Sequence, residues 1–143
     1  MSFQTPRRTF IVDDNADYHK PFKTVFEEVR PANRLESFLS GQALLERLLD
    51  VGKPLPGLIL LDLLMPKMNG ITTLSLIRQN ASLARIPTII MTASSSGNDL
   101  SYSYQAGANA FTAKPSTFSE LQHFIEVTCR YWLDVAQVPT CIQ

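Results

Sequence analysis

The chain has 143 residues and a mass of 16.0 kDa, enough for one fold to bury roughly 70% of its unfolded surface without a disulfide or metal staple. Hydrophobic residues make up 45% and charged residues 18%, which excludes a disordered chain. Thirteen basic residues balance thirteen acidic ones, so no net field draws the protein toward nucleic acid or an anionic membrane.

One core uses this length. Residues 1–143 are read as a single domain, with a core from about 7 to 130 and a C-terminal helix and tail over 117–143, and no DNA-binding output domain is expected. Arg7-Arg8-Thr9-Phe10 has a superficial twin-arginine look, but the apolar run behind it ends at Asp13 and Asp14, too soon for an export signal. No run approaches the ~18 apolar residues of a membrane span, and a soluble, cytoplasmic protein is expected. Cys129 and Cys141 lack any Cys-x-x-Cys or Cys/His ligand spacing. They are read as reduced thiols, with no zinc site.

In chain order, Phe10-Ile11-Val12 reads as a first strand. Tyr18, Phe22, Val25 and Val29 then recur at helical spacing, although Pro21 falls inside that pattern; proline removes a helix hydrogen bond, so this helix either starts late, near Lys20, or is kinked. Arg34 to Phe38 is a weaker strand candidate. Leu44, Leu45, Leu48 and Leu49 follow Ser40-Gly41 and stop at Gly52, as a helix ending on glycine would. Leu58 to Leu61 is a continuous apolar strand, and Ile71, Leu74 and Ile77 mark the next helix after Asn69-Gly70. Ile86 to Met91 is the fourth strand, Leu100 to Ala106 a short helix stopped by Gly107, and Asn109 to Ala113 a fifth strand. Thr117-x-x-Glu120 is a capping box opening a last helix whose sheet-facing line is Phe118, Leu121, Ile125 and Trp132. Continuous apolar strands alternating with helices predict an α/β fold: one doubly wound, five-stranded parallel sheet covered on both faces.

In such a sheet the carboxyl ends of all strands share one edge, and ligands bind there. Asp13 and Asp14 follow the first strand, Asp62 the third, Thr92 the fourth and Lys114 the fifth, so five reactive side chains converge on one small site. Three crowded carboxylates repel one another and are hard oxygen ligands, suited to a Mg²⁺-type ion. A lysine and a hydroxyl beside that ion make a place for a dianionic phosphoryl group. Phosphoryl transfer needs mainly positioning and charge neutralisation, and a carboxylate can be the nucleophile.

The segment Asp62-Leu63-Leu64-Met65-Pro66-Lys67-Met68-Asn69-Gly70 resembles the phosphoacceptor loop of two-component response-regulator receiver domains. Asp13-Asp14, Thr92-Ala93 and Lys114-Pro115, in that order and at those intervals, complete the resemblance, which covers residues 7 to about 130. It implies a flavodoxin-like (βα)5 fold with strand order 2-1-3-4-5. It also implies that Asp62 accepts a phosphoryl group from a sensor histidine kinase, a phosphotransfer protein or a small donor such as acetyl phosphate. Asp14, Asp62 and the backbone carbonyl of Leu64 would ligate Mg²⁺, with Asp13 holding it through water. Lys114 would pair with the phosphoryl oxygens and Thr92 would turn inward to meet one of them. Phe111 takes the place of the aromatic switch residue, and the peptide before Pro115 is expected to be cis.

Two positions depart from the commoner pattern. Phe111 replaces tyrosine, so no phenolic hydroxyl accompanies the switch. Leu64 is apolar where polar residues are frequent, and with Ser94 it flanks the path of water to the phosphoryl group, so its bulk is expected to slow hydrolysis. His19 and His123 read as solvated helix residues, and Pro66 and Gly70 as turn residues.

A second apolar line, Phe124, Val127, Tyr131, Val135 and Val138, runs along the last helix as far as Pro139. An apolar stripe with no internal partner marks an interface, so a homodimer through the last helix and the strand-five face is expected. The tail Tyr131-Trp132-Leu133-Asp134-Val135 is similar to that of small regulators that partner bacterial phytochrome kinases. The reading is a stand-alone response regulator that switches partner binding or relays phosphate. It is no enzyme beyond phosphorylation and dephosphorylation at its own Asp62. A degenerate receiver acting only as a dimerisation or binding scaffold is the rival. An aspartyl-intermediate phosphatase would need a second carboxylate where Leu64 stands.

Overall fold

The computed structural model describes residues 7–93 and 96–139. Ser94 and Cys141 lie outside the described residues. Five strands, β1 (Arg8–Val12), β2 (Arg34–Phe38), β3 (Leu58–Asp62), β4 (Thr88–Thr92) and β5 (Ala110–Ala113), alternate with five helices. These are α1 (Ala16–Val29), α2 (Gly41–Leu48), α3 (Gly70–Gln79), α4 (Gly97–Gln105) and α5 (Phe118–Cys129). The strands form one parallel sheet in the order β2-β1-β3-β4-β5. The expected doubly wound α/β architecture, flavodoxin-like (βα)5 with order 2-1-3-4-5, is what forms.

Strand alternation divides the apolar residues between two layers. Phe10, Val12, Ile59, Leu61 and Ile90 face α2 and α3, meeting Leu44, Leu48, Leu74 and Ile77. Ile11, Leu58, Leu60, Ile89 and Met91 face α1 and α5, meeting Phe22, Val25, Phe26, Leu121 and Ile125. Every residue of the inner strands β3 and β4 is buried, which is why they read as unbroken apolar runs. The edge strand β2 has no fully buried residue, hence its weaker signature.

Helix starts follow local capping. Asn15, Ser40, Asn69, Ser96 and Thr117 each accept a hydrogen bond from the first turn of their helix, satisfying donors that have no intrahelical partner. The first helix does not start late. It begins at Ala16 and runs through Pro21. Pro21 and Asp17 are both exposed, so the Asp17 carbonyl that loses its partner at Pro21 is left near solvent.

The C-terminal helix departs from expectation in its last turns. After Cys129 the backbone widens into a π-helical segment, π1 (Arg130–Val135), closed by Ala136 N–H donating to Tyr131 O at 2.6 Å, and the helix stops at Val135 rather than near Pro139. The wider turn rotates the following side chains. Leu133, not Trp132, therefore continues the buried line of Leu121, Ile125 and Cys129, while Trp132 is half-buried and Phe118 is exposed. The Arg30 guanidinium at the end of α1 grips the Asp134 carboxylate with two bonds of 2.8 and 2.7 Å, a planar fork-to-fork pair that fixes orientation. It raises the Arg30 pKa and lowers that of Asp134 through this hydrogen-bonded contact. Cys129 is buried with a free thiol, pushed up to about 11 by that burial, as a reduced, unreactive cysteine would be. Among the described residues no helix is long and apolar enough to cross a membrane.

Candidate functional site

The site lies at the carboxyl edge of the sheet. Asp13 follows β1 directly, and its own N–H continues the ladder to Phe38 O. Asp62 is the last residue of β3 and Thr92 the last of β4; Lys114 follows β5, its N–H donating to Thr92 O at 2.9 Å. Asp13 and Thr92 are buried, Asp62 is 4% exposed, and Asp14 faces solvent.

One carboxylate oxygen from each of Asp13, Asp14 and Asp62 lies within 4.8 Å of the others. The Lys114 ammonium is 2.5 Å from Asp13 Oδ2 and 3.8 Å from Asp62 Oδ2. The other Asp13 oxygen accepts the Asn15 N–H at 2.9 Å. Burial, reinforced by the Asp13 charge, pushes the Asp62 carboxyl up to about 6, against the opposing pull of Lys114 and the Leu64 backbone N–H. Three hard oxygen donors, two of them buried and one reluctant to ionise, fit a divalent cation, which relieves their mutual repulsion. The arrangement forms an acidic pocket able to hold such an ion beside an ammonium group.

The loop after Asp62 is set by close packing. Gly70 opens α3 and donates to Leu63 O at 2.9 Å; a Cβ there would lie 2.5 Å from the Asp62 carbonyl oxygen. Its role is this close approach of backbone to backbone, beyond the turn read from sequence. Lys67, with φ 67°, supplies the left-handed step between Pro66 and Met68. The Leu64 side chain is 53% exposed beside the pocket.

Phe111 is half-buried and packs against the layer containing Ile90, its neighbour in register on β4. No cis peptide occurs among the described residues. The Lys114–Pro115 bond is therefore trans, contrary to expectation. A trans peptide suffices because the Lys114 N–H ladder bond and the contact made by the Pro115 carbonyl already fix the chain direction, and the side chain reaches both carboxylates.

Two residues at the pocket were not assigned to it from sequence. Tyr18, read only as part of an apolar helical line, donates its hydroxyl to Pro115 O at 2.6 Å and lies under the Lys114 ammonium, 4.2 Å from the ring centroid. Burial first, then the Asp13 and Asp62 charges, raise its phenol above the usual range. His19 is not the solvated residue expected. Its Nε2 donates to the Asp13 carbonyl at 2.7 Å, and its Nδ1 is buried without a hydrogen-bond partner. Both contacts join residues distant in the chain or use the main chain, and neither leaves a mark in spacing. His123 lies on exposed α5 surface.

A family model described as the response regulator receiver domain matches residues 9–126. The probable methanogenesis regulatory protein FilR2 of Methanothrix harundinacea is 32% identical over 136 residues, 93% of this chain and 88% of that protein. Response regulator Rcp1 of Synechocystis sp. is 35% identical over 86 residues, so the match spans 60% of this chain and 58% of Rcp1. The Mn(2+)-bound form of Rcp1 has a TM-score of 0.79 at 29% identity, covering 94% of this chain and 100% of that one. The phosphorylated cyanobacterial phytochrome response regulator RcpA shares the fold with a TM-score of 0.84 at 24% identity, covering 94% and 99%. The strand order, the pocket at the carboxyl edge and a match over most of the length agree, and the chain belongs to the response regulator receiver domain family.

Proposed function

We propose that this receiver is a phosphorylation-switched signalling protein of a two-component phosphorelay, with Asp62 as phosphoacceptor. The observation that carries this reading is the nearly buried Asp62 carboxylate with the Lys114 ammonium 3.8 Å away. An Asp62 oxygen attacks the phosphorus of a phosphohistidine; the P–N bond breaks, its electron pair returns to the imidazole, and an acyl phosphate forms. Lys114 faces the incoming phosphoryl oxygens, and the Thr92 hydroxyl, buried one strand away, donates to one of them. Asp13, Asp14, Asp62 and the Leu64 carbonyl would hold Mg²⁺, which would supply positive charge to offset that of the phosphoryl oxygens. As Thr92 turns inward, the half-buried Phe111 ring follows it, changing the face formed by α4, β5 and α5.

The donor is a sensor histidine kinase or a phosphotransfer protein in the cytoplasm, and the tail's likeness points to a phytochrome-type kinase. The protein turns over no external metabolite. Val127, Tyr131 and Val135 form an exposed apolar line, with Phe124 half-buried at its start and Val138 half-buried beyond its end. We assign this line, with the β5 face, to a homodimer.

Intact mass after incubation with acetyl phosphate and Mg²⁺ is expected to show one phosphoryl adduct on the wild type and none on Asp62→Asn. No adduct on either, with several small donors and rapid sampling, would move the function to a phosphorylation-independent scaffold.

The Asp62 environment also predicts a stability effect. Its folded pKa, about 6, lies above the unfolded ~3.9. The stability it contributes is therefore complete below about pH 4 and lost as pH rises through about 6. At neutral pH without a divalent cation the charged carboxylate costs on the order of 1–3 kcal/mol. Asp62→Asn is expected to raise the metal-free melting temperature at neutral pH, while Mg²⁺ raises that of the wild type far more than that of the variant. A variant melting below the wild type without metal would contradict this balance.

Leu64→Asn is expected to speed loss of the phosphoryl group, read as the decay of the adduct after donor removal; an unchanged rate would remove Leu64 from the water path. Light scattering at tens of micromolar is expected to give a dimer mass, and a monomer mass would end the homodimer assignment.

A further inference from the structure

We propose that Tyr18 is the positioning residue for Lys114: its ring supports the ammonium at the acidic pocket, and its hydroxyl ties the turn after β5 to α1. The inference rests on the phosphoacceptor reading of the site and adds a residue to it.

A lysine reaches its target on a flexible four-carbon stem and carries a compact charge with no preferred plane of approach. Here the ammonium is 2.5 Å from Asp13 but 3.8 Å from Asp62, so attraction alone draws it toward the carboxylate that does not react. The Tyr18 ring face, 4.2 Å from Nζ at its centroid, provides a third contact. The π face attracts the cation and blocks the space on that side. Tyr18 and Phe22 lie 5.9 Å apart, and Phe22 is fully buried, so the ring is backed by the core and cannot easily yield.

The main chain is held as well. Lys114 N–H donates to Thr92 O on one side, and Pro115 O accepts the Tyr18 hydroxyl at 2.6 Å on the other. These two bonds leave the lysine backbone little freedom to rotate. An aromatic residue serving only to fill the core would account for the contact with Phe22. It would account for neither the cation over the ring face nor the hydroxyl aimed at a carbonyl 97 positions away.

The two contacts are separable. Tyr18→Phe keeps the ring and loses the hydroxyl; Tyr18→Leu loses both; Tyr18→Trp restores an aromatic face. The first readout is the NMR shift of the Lys114 side-chain protons in the metal-free, unphosphorylated protein, where the ring current moves them upfield. The second is the rate of Asp62 phosphorylation by acetyl phosphate at saturating Mg²⁺. The upfield shift is expected to persist in Tyr18→Phe and vanish in Tyr18→Leu. The rate is expected to stay within about threefold of wild type in Tyr18→Phe and to fall on the order of tenfold in Tyr18→Leu, with recovery in Tyr18→Trp. A Tyr18→Leu protein phosphorylated at the wild-type rate, or a Lys114 shift indifferent to the ring, overturns the proposal. If Tyr18→Leu does not fold, Tyr18→Met takes its place in both measurements. A wild type that accepts no phosphoryl group overturns the receiver mechanism instead, and the Lys114 shift then decides the role of Tyr18 by itself.

Discussion

Parallel strands cannot be joined by tight turns; each connection must cross back over the sheet, and every strand then points the same way. In this protein that constraint brings the ends of β1, β3, β4 and β5 to one edge, where Asp13, Asp62, Thr92 and Lys114 meet although they are spread across most of the chain. The crossover helices bury both faces, so the edge is also where the apolar layers stop and charge can be accommodated. Site and fold are therefore not independent features. Burying Phe10, Ile59 and Ile90 on one face, with Ile11, Leu60 and Met91 on the other, sets the strand register that aligns the polar residues beyond them.

Charge at that edge is balanced narrowly. A fully buried carboxylate is tolerated only when paired and hydrogen-bonded, and Asp13 has both the Lys114 ammonium and the Asn15 N–H. Asp62 lies farther from that ammonium, and its burial raises its pKa above the usual carboxylate range. A single ammonium thus serves two carboxylates at unequal distances. Its placement is decided by neighbours from other elements, which makes the first turn of α1 part of the site: Asn15 caps the helix, Tyr18 meets Lys114 and Pro115, and His19 holds the Asp13 carbonyl.

At the other end of α1, Arg30 binds Asp134 and Leu133 packs into the α1–α5 layer. The π-helical turn makes this possible by rotating the chain after Cys129. The same rotation keeps Tyr131 and Val135 in solvent, continuing the line begun by Val127. One widened turn therefore determines which tail residues stabilise the fold and which remain available on its surface.

The fold class and the pocket were legible in the residue pattern, whereas the strand order followed only from the family resemblance. Unbroken apolar runs identify strands buried on both faces, and polar residues just past such runs must collect at the carboxyl edge. The family resemblance assigned chemistry to those positions in advance. Periodicity could not reveal the widened turn, because it presumes a constant helical pitch; Leu133 and Trp132 therefore exchanged places. It also left Pro21 ambiguous, since the cost of a missing bond depends on whether the bereft carbonyl meets water. Tyr18, His19 and the trans peptide before Pro115 were decided only in three dimensions. Each depends on a contact between α1 and the ends of β1 and β5, and a one-dimensional spacing rule holds no information about which distant main-chain carbonyl a side chain will reach.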